Sequence, residues 1–170
     1  MDTAVFHCTM PSPFGPMQIG VDSGGALVGV WLPNRGRILE SHERPPHAAR
    51  MGMDAAQAQL HEYFLGTRRT FDLRIDPHGS SFERNVWSAL QGVPFGVTTS
   101  YGAIAAQLGL TNGARAVGRA NGANPIPIVI PCHRVIGSDG RLTGYGGGLP
   151  LKRALLELEG ALPANDLRLF

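Results

Sequence analysis

Ser100-Tyr101-Gly102-Ala103-Ile104-Ala105-Ala106-Gln107-Leu108-Gly109, the turn Leu110-Thr111-Asn112-Gly113, and then Ala114-Arg115-Ala116-Val117-Gly118-Arg119-Ala120 form the stretch on which the fold turns. Ser100 is placed to cap a short helix over 101–108, and Gly109 to end it. A second short helix is expected from Ala114 to about Ala120. Two helices around a tight, glycine-containing turn make a helix-turn-helix pattern. The pattern alone is weak, because many helical hairpins bind nothing. The composition of the second helix adds to it. Ala114, Ala116, Gly118 and Ala120 leave one side almost smooth, able to lie against a backbone or enter a narrow groove, while Arg115 and Arg119 project at an i, i+4 spacing.

Upstream, Ser80 and Glu83 read as a capping box before a helix that carries Phe82, Val86, Trp87 and Leu90 on one face, broken at Pro94-Phe95-Gly96. Before that the chain is rich in strand signals. Val5–Cys8, Met17–Val21 and Ala26–Leu32 are short apolar runs separated by Pro-Ser-Pro-Phe-Gly-Pro and Asp-Ser-Gly-Gly turns. Residues 33–53, with three prolines and little periodicity, read as a surface loop. Asp54 and Gln57 resemble a capping box for a helix through Leu65, with Gly66 as its stop, and Thr70–Ile75 alternates like another strand. Asp76-Pro77-His78-Gly79-Ser80 reads as a linker. The expectation is an α+β protein in two units, residues 1–79 with a sheet and one helix, and residues 80–170 largely helical.

The chain of 170 residues is 43% hydrophobic and 16% charged, an ordinary globular balance. No apolar run approaches the roughly 18–20 residues that cross a bilayer, so no membrane association is expected. Met1-Asp2-Thr3-Ala4 lacks the basic and apolar regions of a signal peptide, and a cytoplasmic location is expected. Two cysteines, Cys8 and Cys132, are too few for a disulfide scaffold, and both are expected as free thiols. Net charge is only +2, but from Arg84 to Arg153 seven basic residues face a single acid, Asp139. Such a stretch suits a polyanion; a solvated surface of mixed charge is the alternative.

The densest chemistry is Ile128-Val129-Ile130-Pro131-Cys132-His133-Arg134-Val135-Ile136. A β-branched apolar run delivers a thiol, an imidazole and a guanidinium in succession. A neighbouring His or Arg lowers a thiol's pKa and makes it nucleophilic. The alternative is a small buried core cysteine, the usual fate of a free one. For Cys8, with no polar company beyond His7, that alternative is favoured.

The run Pro131-Cys132-His133-Arg134-Val135-Ile136, preceded by Asn124-Pro125-Ile126-Pro127, resembles the signature of the O6-alkylguanine-DNA alkyltransferases (methylated-DNA–protein-cysteine methyltransferases). Phe82-Glu83-Arg84-Asn85-Val86-Trp87, Pro94-Phe95-Gly96, Ser100-Tyr101, Ala114-Arg115-Ala116-Val117-Gly118, Gly144-Tyr145-Gly146-Gly147-Gly148 and Leu156-Glu157-Leu158-Glu159-Gly160 stand in that family's order and spacing. The likeness covers residues 80–160. The first half matches loosely, through Ser12-Pro13-Phe14-Gly15 and Tyr63-Phe64.

The resemblance implies a ribonuclease-H-like sheet domain followed by a winged-helix-like domain. It also implies DNA repair by irreversible, single-turnover transfer of an alkyl group from O6-alkylguanine to Cys132, with O4-alkylthymine as a second candidate. His133 matches the base, acting through a bridging water, and Glu159 the carboxylate that orients it. At a helix C-terminus Glu159 needs a compensating partner. Tyr101 matches the phenol on guanine N3, and Arg115 the finger that fills the space of a flipped base. On the same basis Ser100, Ala114, Gly118 and Arg119 are expected beside double-stranded DNA, in its minor groove. Asn124, Pro127, Tyr145 and Gly146 are expected in the base pocket, with the carbonyls of Cys132 and Val135 as acceptors for the guanine amino group. The three glycines 146–148 suggest a mobile flap.

Some relatives hold a zinc ion in the first domain. Here only His7, Cys8 and His78 are candidates, so no metal and no cofactor are expected. A monomer is expected. A Cys-His hydrolase would need an oxyanion hole that the sequence does not indicate. A lesion-recognition module of the same fold would carry Trp in place of Cys132, and a helix-turn-helix transcription factor would leave Pro131–Val135 unexplained.

Overall fold

Strand β1 (Val5–Met10) pairs antiparallel with β2 (Met17–Asp22), and β2 with β3 (Leu27–Trp31), in the order β1-β2-β3. The computed structural model in which this sheet is seen describes residues 4–33, Leu39 and residues 43–164. The register sets Phe6 opposite Val21 and Ile19 opposite Val30, with an irregularity between Gly20 and Val21. Glycine is required at 20 and 29 because the Trp31 ring lies across them. A Cβ would stand 2.8 Å and 2.4 Å from that ring, respectively.

Helix α1 (His47–Phe64) packs against this sheet. It begins seven residues before the expected start, so the expected loop is helical from His47; residues 34–38 and 40–42 of that loop lie outside the described residues. The stripe Ala49, Met53, Ala56, Leu60, Tyr63 is buried at helical spacing and runs upstream of Asp54. Pro46 occupies the N-cap with no side-chain cap, so no capping box marks the entry. Gly66, at φ 76°, ends the helix as expected. Thr70–Ile75 is not a strand: one residue, Ile75, bridges Leu27, through Leu27 N–H to the Arg74 carbonyl and Asp76 N–H to the Leu27 carbonyl, both 2.8 Å.

Helix α2 (Ser81–Gln91) opens on the Ser80/Glu83 capping box. Val86, Trp87 and Leu90 are buried, but Phe82 is 37% exposed and stands apart from them. A two-residue strand β4 (Thr99–Ser100) leads into α3 (Tyr101–Gln107), capped by Ser100 Oγ, which accepts from Ala103 N–H. Helix α4 (Ala114–Gly122) runs two residues past expectation. Trp87 Nε1–H ties it to α2 by donating to the Ala120 carbonyl at 2.8 Å. Ala120 therefore faces the core with Val117 and is not part of an outer smooth face.

The apolar run 128–130 is not a strand. Asn124 clamps a bend there: its Oδ1 accepts from Ile126 N–H (2.9 Å) and its Nδ2 donates to the Ile130 carbonyl (2.8 Å). Inside the bend Ile128 takes φ 75°, a left-handed conformation that β-branched residues rarely adopt. A 3-10 turn over Cys132–Arg134 follows, then β5 (Val135–Ile136), which pairs parallel with β4. Helix α5 (Leu149–Leu158) closes the described chain but for a few residues. Among the described residues the architecture is mixed α/β, one small antiparallel sheet with five α-helices, and no helix is long and apolar enough to cross a membrane.

Candidate active site

The 3-10 turn presents Cys132 to a cavity of about 250 Å³. Asn124, Pro127, Tyr145, Gly144 and Gly146 line it, joined by Val30, Trp31 and Leu32 of β3. That sheet contribution has no signal in the sequence, because those residues read as an ordinary strand. It is held in place by Val30 N–H, which donates to the Pro125 carbonyl at 2.9 Å. Gly122 and Gly144–Gly146 also line an open groove along α4, together with Tyr101, Ala114, Arg115 and Gly118. Cavity and groove are thus contiguous, and the thiol sits at the inner end.

The residues that follow Cys132 enter a buried polar network. His133 Nε2 and Glu159 Oε1 are 2.7 Å apart, with both side chains inaccessible to solvent. Glu159 is the C-cap of α5, and Arg134 supplies the compensating charge through Nε to Oε2 and Nη2 to Oε1, both 2.9 Å. Gly96 N–H adds a weaker bond to Oε2 (3.3 Å), and Tyr63 donates its hydroxyl to Oε1 at 2.7 Å. Burial alone would raise the Glu159 carboxyl, but the hydrogen bonds from His133, Arg134 and Tyr63 hold it well below the usual range. Burial pushes the His133 imidazolium down, so the ring is neutral. An anionic Glu159 then takes the Nε2–H, which leaves the lone pair on Nδ1, an atom with no hydrogen-bond partner among the described residues.

The thiol itself departs from expectation. Burial pushes the Cys132 pKa up, outweighing the hydrogen bonds from Asn124 and the backbone and the charge of Lys152, which favour the thiolate. Arg134 does not activate it, being committed to Glu159 and the Val93 carbonyl (2.7 Å). Both shifts favour the uncharged forms, a protonated thiol and a neutral imidazole.

Lys152 of α5 is fully buried, and no pattern in the sequence marks it. Its Nζ donates to the carbonyls of Val135 (2.6 Å) and Thr143 (2.8 Å), and burial lowers its pKa to about 8. The Val135 carbonyl is thus already engaged, and Val135 does not line the cavity. The Cys132 carbonyl accepts from Asn121 Nδ2 at a long 3.4 Å. Tyr101 shares a hydrogen bond with Thr143 Oγ1 (2.9 Å) at the groove's edge. Ser100 is spent on capping, and Arg119 is exposed one turn beyond Arg115, outside the groove. Gly147 is packed: a Cβ there would lie 2.4 Å from Leu151 Cδ2 and 3.0 Å from Leu32 Cδ1. Cys8 is half-buried with its pKa raised by burial and Asp54, and among the described residues no three His, Cys, Asp or Glu are grouped to hold a metal.

A buried thiol at the inner end of a groove along α4, followed in the chain by an imidazole paired with a carboxylate, is an arrangement found in proteins that work through a thiol. Residues 81–161 match the family described as 6-O-methylguanine DNA methyltransferase, DNA binding domain. A methylated-DNA–protein-cysteine methyltransferase of Mycobacterium tuberculosis is 46% identical over 98% of this chain and 99% of its own length, and one of Methanosarcina acetivorans is 39% identical over 92% and 99%. The crystal structure of Mycobacterium tuberculosis OGT in complex with DNA superposes with a TM-score of 0.77 at 46% identity, covering 92% of this chain and 94% of that one. The chain belongs to the methylated-DNA–protein-cysteine methyltransferase family.

Proposed function

We propose that this protein repairs alkylated DNA by moving the alkyl group from guanine O6 onto its own Cys132, once per molecule. The observation that carries this reading is the buried Cys132 at the inner end of a cavity open to the α4 groove, followed in the chain by a His133 whose Nδ1 has no hydrogen-bond partner among the described residues. The thiol proton passes to His133 Nδ1 through a bridging water. A sulfur lone pair attacks the alkyl carbon, the carbon–O6 bond breaks, and its electrons return to the purine, which Tyr101 assists by donating to N3. The product is a thioether, which has no leaving group that would restore the thiol. O4-alkylthymine is a second substrate in this reading.

The partner is double-stranded DNA, bound by a monomer with α4 in the minor groove. Arg115, in the groove next to the cavity mouth, fills the stack when the damaged base is extruded. Arg119, Ala114, Gly118 and Ser100 lie along the same contact, and Asn124, Pro127, Tyr145 and Gly146 enclose the base. The units 1–79 and 80–170 correspond to a ribonuclease-H-like and a winged-helix-like domain. Intact mass spectrometry after mixing with an O6-methylguanine oligonucleotide is the test. One methyl group added, located on Cys132, lost in Cys132→Ala and kept in Cys8→Ala, is the expected result; a methyl acquired by Cys132→Ala would sink the mechanism.

A further inference from the structure

We propose that Tyr63 of helix α1, far from Cys132 in sequence, is a positioning residue of the transfer site, its hydroxyl fixing Glu159 and limiting how strongly that carboxylate pulls on the Nε2–H of His133. The inference rests on the reading of His133 as the base for Cys132.

Glu159 Oε1 receives three donors, Tyr63 Oη and His133 Nε2 at 2.7 Å and Arg134 Nη2 at 2.9 Å, while Oε2 receives Arg134 Nε and Gly96 N–H. A carboxylate oxygen offers about two lone-pair sites, so three donors on one oxygen compete for the same density. The Tyr63 hydroxyl cannot swing away. Its ring is fully buried and wedged edge-on against Phe64 and Phe95, with centroids 5.5 Å and 6.1 Å away, and tilted on Phe71 at 5.6 Å. Burial and the adjacent Glu159 charge push the phenol's pKa up, so it remains a donor through the neutral range.

The groups acting on His133 are few. Glu159, at the end of α5, favours the imidazolium, while the charges of Arg134 in the 3-10 turn and Lys152 of α5 oppose it. Cys132 is its neighbour in the chain, and Tyr63 reaches it only through Glu159. A helix of the N-terminal half thereby enters the proton relay of the C-terminal half. Without the hydroxyl, Oε1 would pull harder on His133, and the imidazole would become more basic.

Two variants test this with opposite signs. Tyr63→Phe removes the donor and keeps the ring; 3-fluorotyrosine installed at position 63 keeps both and makes the phenol a stronger donor. The Nε2–H proton resonance of His133, observed without DNA, should move downfield in Tyr63→Phe and upfield with fluorotyrosine. The acid limb of the single-turnover transfer rate should rise by roughly half a pH unit in the first, the scale of one shared hydrogen bond, and fall in the second. Shifts in the same direction for both variants, or none, would overturn the proposal, and a purely structural tyrosine would give that result. Opposite resonance shifts in a protein that takes up no alkyl group would support the coupling and overturn only the proposed function.

Discussion

Arg134 grips Glu159 at two points, Nε on Oε2 and Nη2 on Oε1, with the two side chains 7% and 0% exposed. Removing one partner of such a pair strands the other's charge in the core, which costs about 3–5 kcal/mol, whereas replacing both costs far less. Glu159→Gln should therefore lower unfolding stability in urea by roughly that amount, and Arg134→Met added to it should recover most of the loss. A single-variant loss under about 1 kcal/mol would mean that the pair does not hold the fold. The sign of the pH dependence follows from the depressed carboxyl. Its contribution is fully present above the unfolded value of about 4.3 and is lost as pH falls through the lower folded value, so the gap between wild type and variant should narrow on acidification.

The rate of transfer should show the same network in a different pH range. Burial raises the Cys132 pKa, which favours the protonated thiol at neutral pH, and in the proposed mechanism His133 then takes the proton. Glu159→Gln should slow transfer most near neutrality. The deficit should begin to shrink only above the ordinary thiol value of about 8.5. Recovery should be partial, because Lys152, whose charge favours the thiolate, loses its proton around pH 8. A raised thiol also stabilises the fold below its unfolded value, and that contribution is lost as pH rises through the folded one. Single-turnover rates across this range are the measurement; a constant ratio of variant to wild type would reduce Glu159 to a structural role.

Arg115 and Arg119 should separate on two substrates. Extruding a paired base costs a few kcal/mol, while a free base presents no stack to open. Arg115→Ala should impair transfer from duplex far more than from free O6-alkylguanine. Arg119→Ala should weaken DNA binding across sequences and reduce its salt dependence, with no selective loss on duplex. Equal losses on both substrates for Arg115→Ala would remove the finger role.

What the sequence made legible follows from what is local. The Ser80/Glu83 box, the Ser100 cap and the Gly66 and Gly109 stops depend on neighbours a few residues away, and the structure has all four. The start of α1 was hidden because Pro46 supplies no capping side chain, though the buried spacing from Ala49 was there to be counted. Thr70–Ile75 alternates like a strand, but pairing is decided by a partner, and among the described residues Ile75 alone of this run forms a bridge, to Leu27. In the site, the need of Glu159 for a countercharge was foreseeable, while Tyr63, Lys152 and the β3 wall are brought in by tertiary packing, which leaves no mark on local pattern. Arg134 shows that proximity in sequence is not proximity in space: two residues from Cys132 in the chain, it turns toward Glu159 at the end of α5.

The bend at Ile128 sets where the reactive sulfur owes its precision. A left-handed β-branched residue costs of order 1–3 kcal/mol, whereas deleting a buried isoleucine side chain costs about 2–5 kcal/mol. Ile128 is 1% exposed, so packing outweighs backbone preference at this position, and glycine, which would relax the dihedral, would leave a void. No short peptide running from Ile128 through Arg134 would hold this bend, since an isoleucine's own conformational preferences oppose it. The motif is thus not a portable reagent: its chemistry is borrowed from the whole interior, and grafting it onto another scaffold would carry over the letters without the geometry.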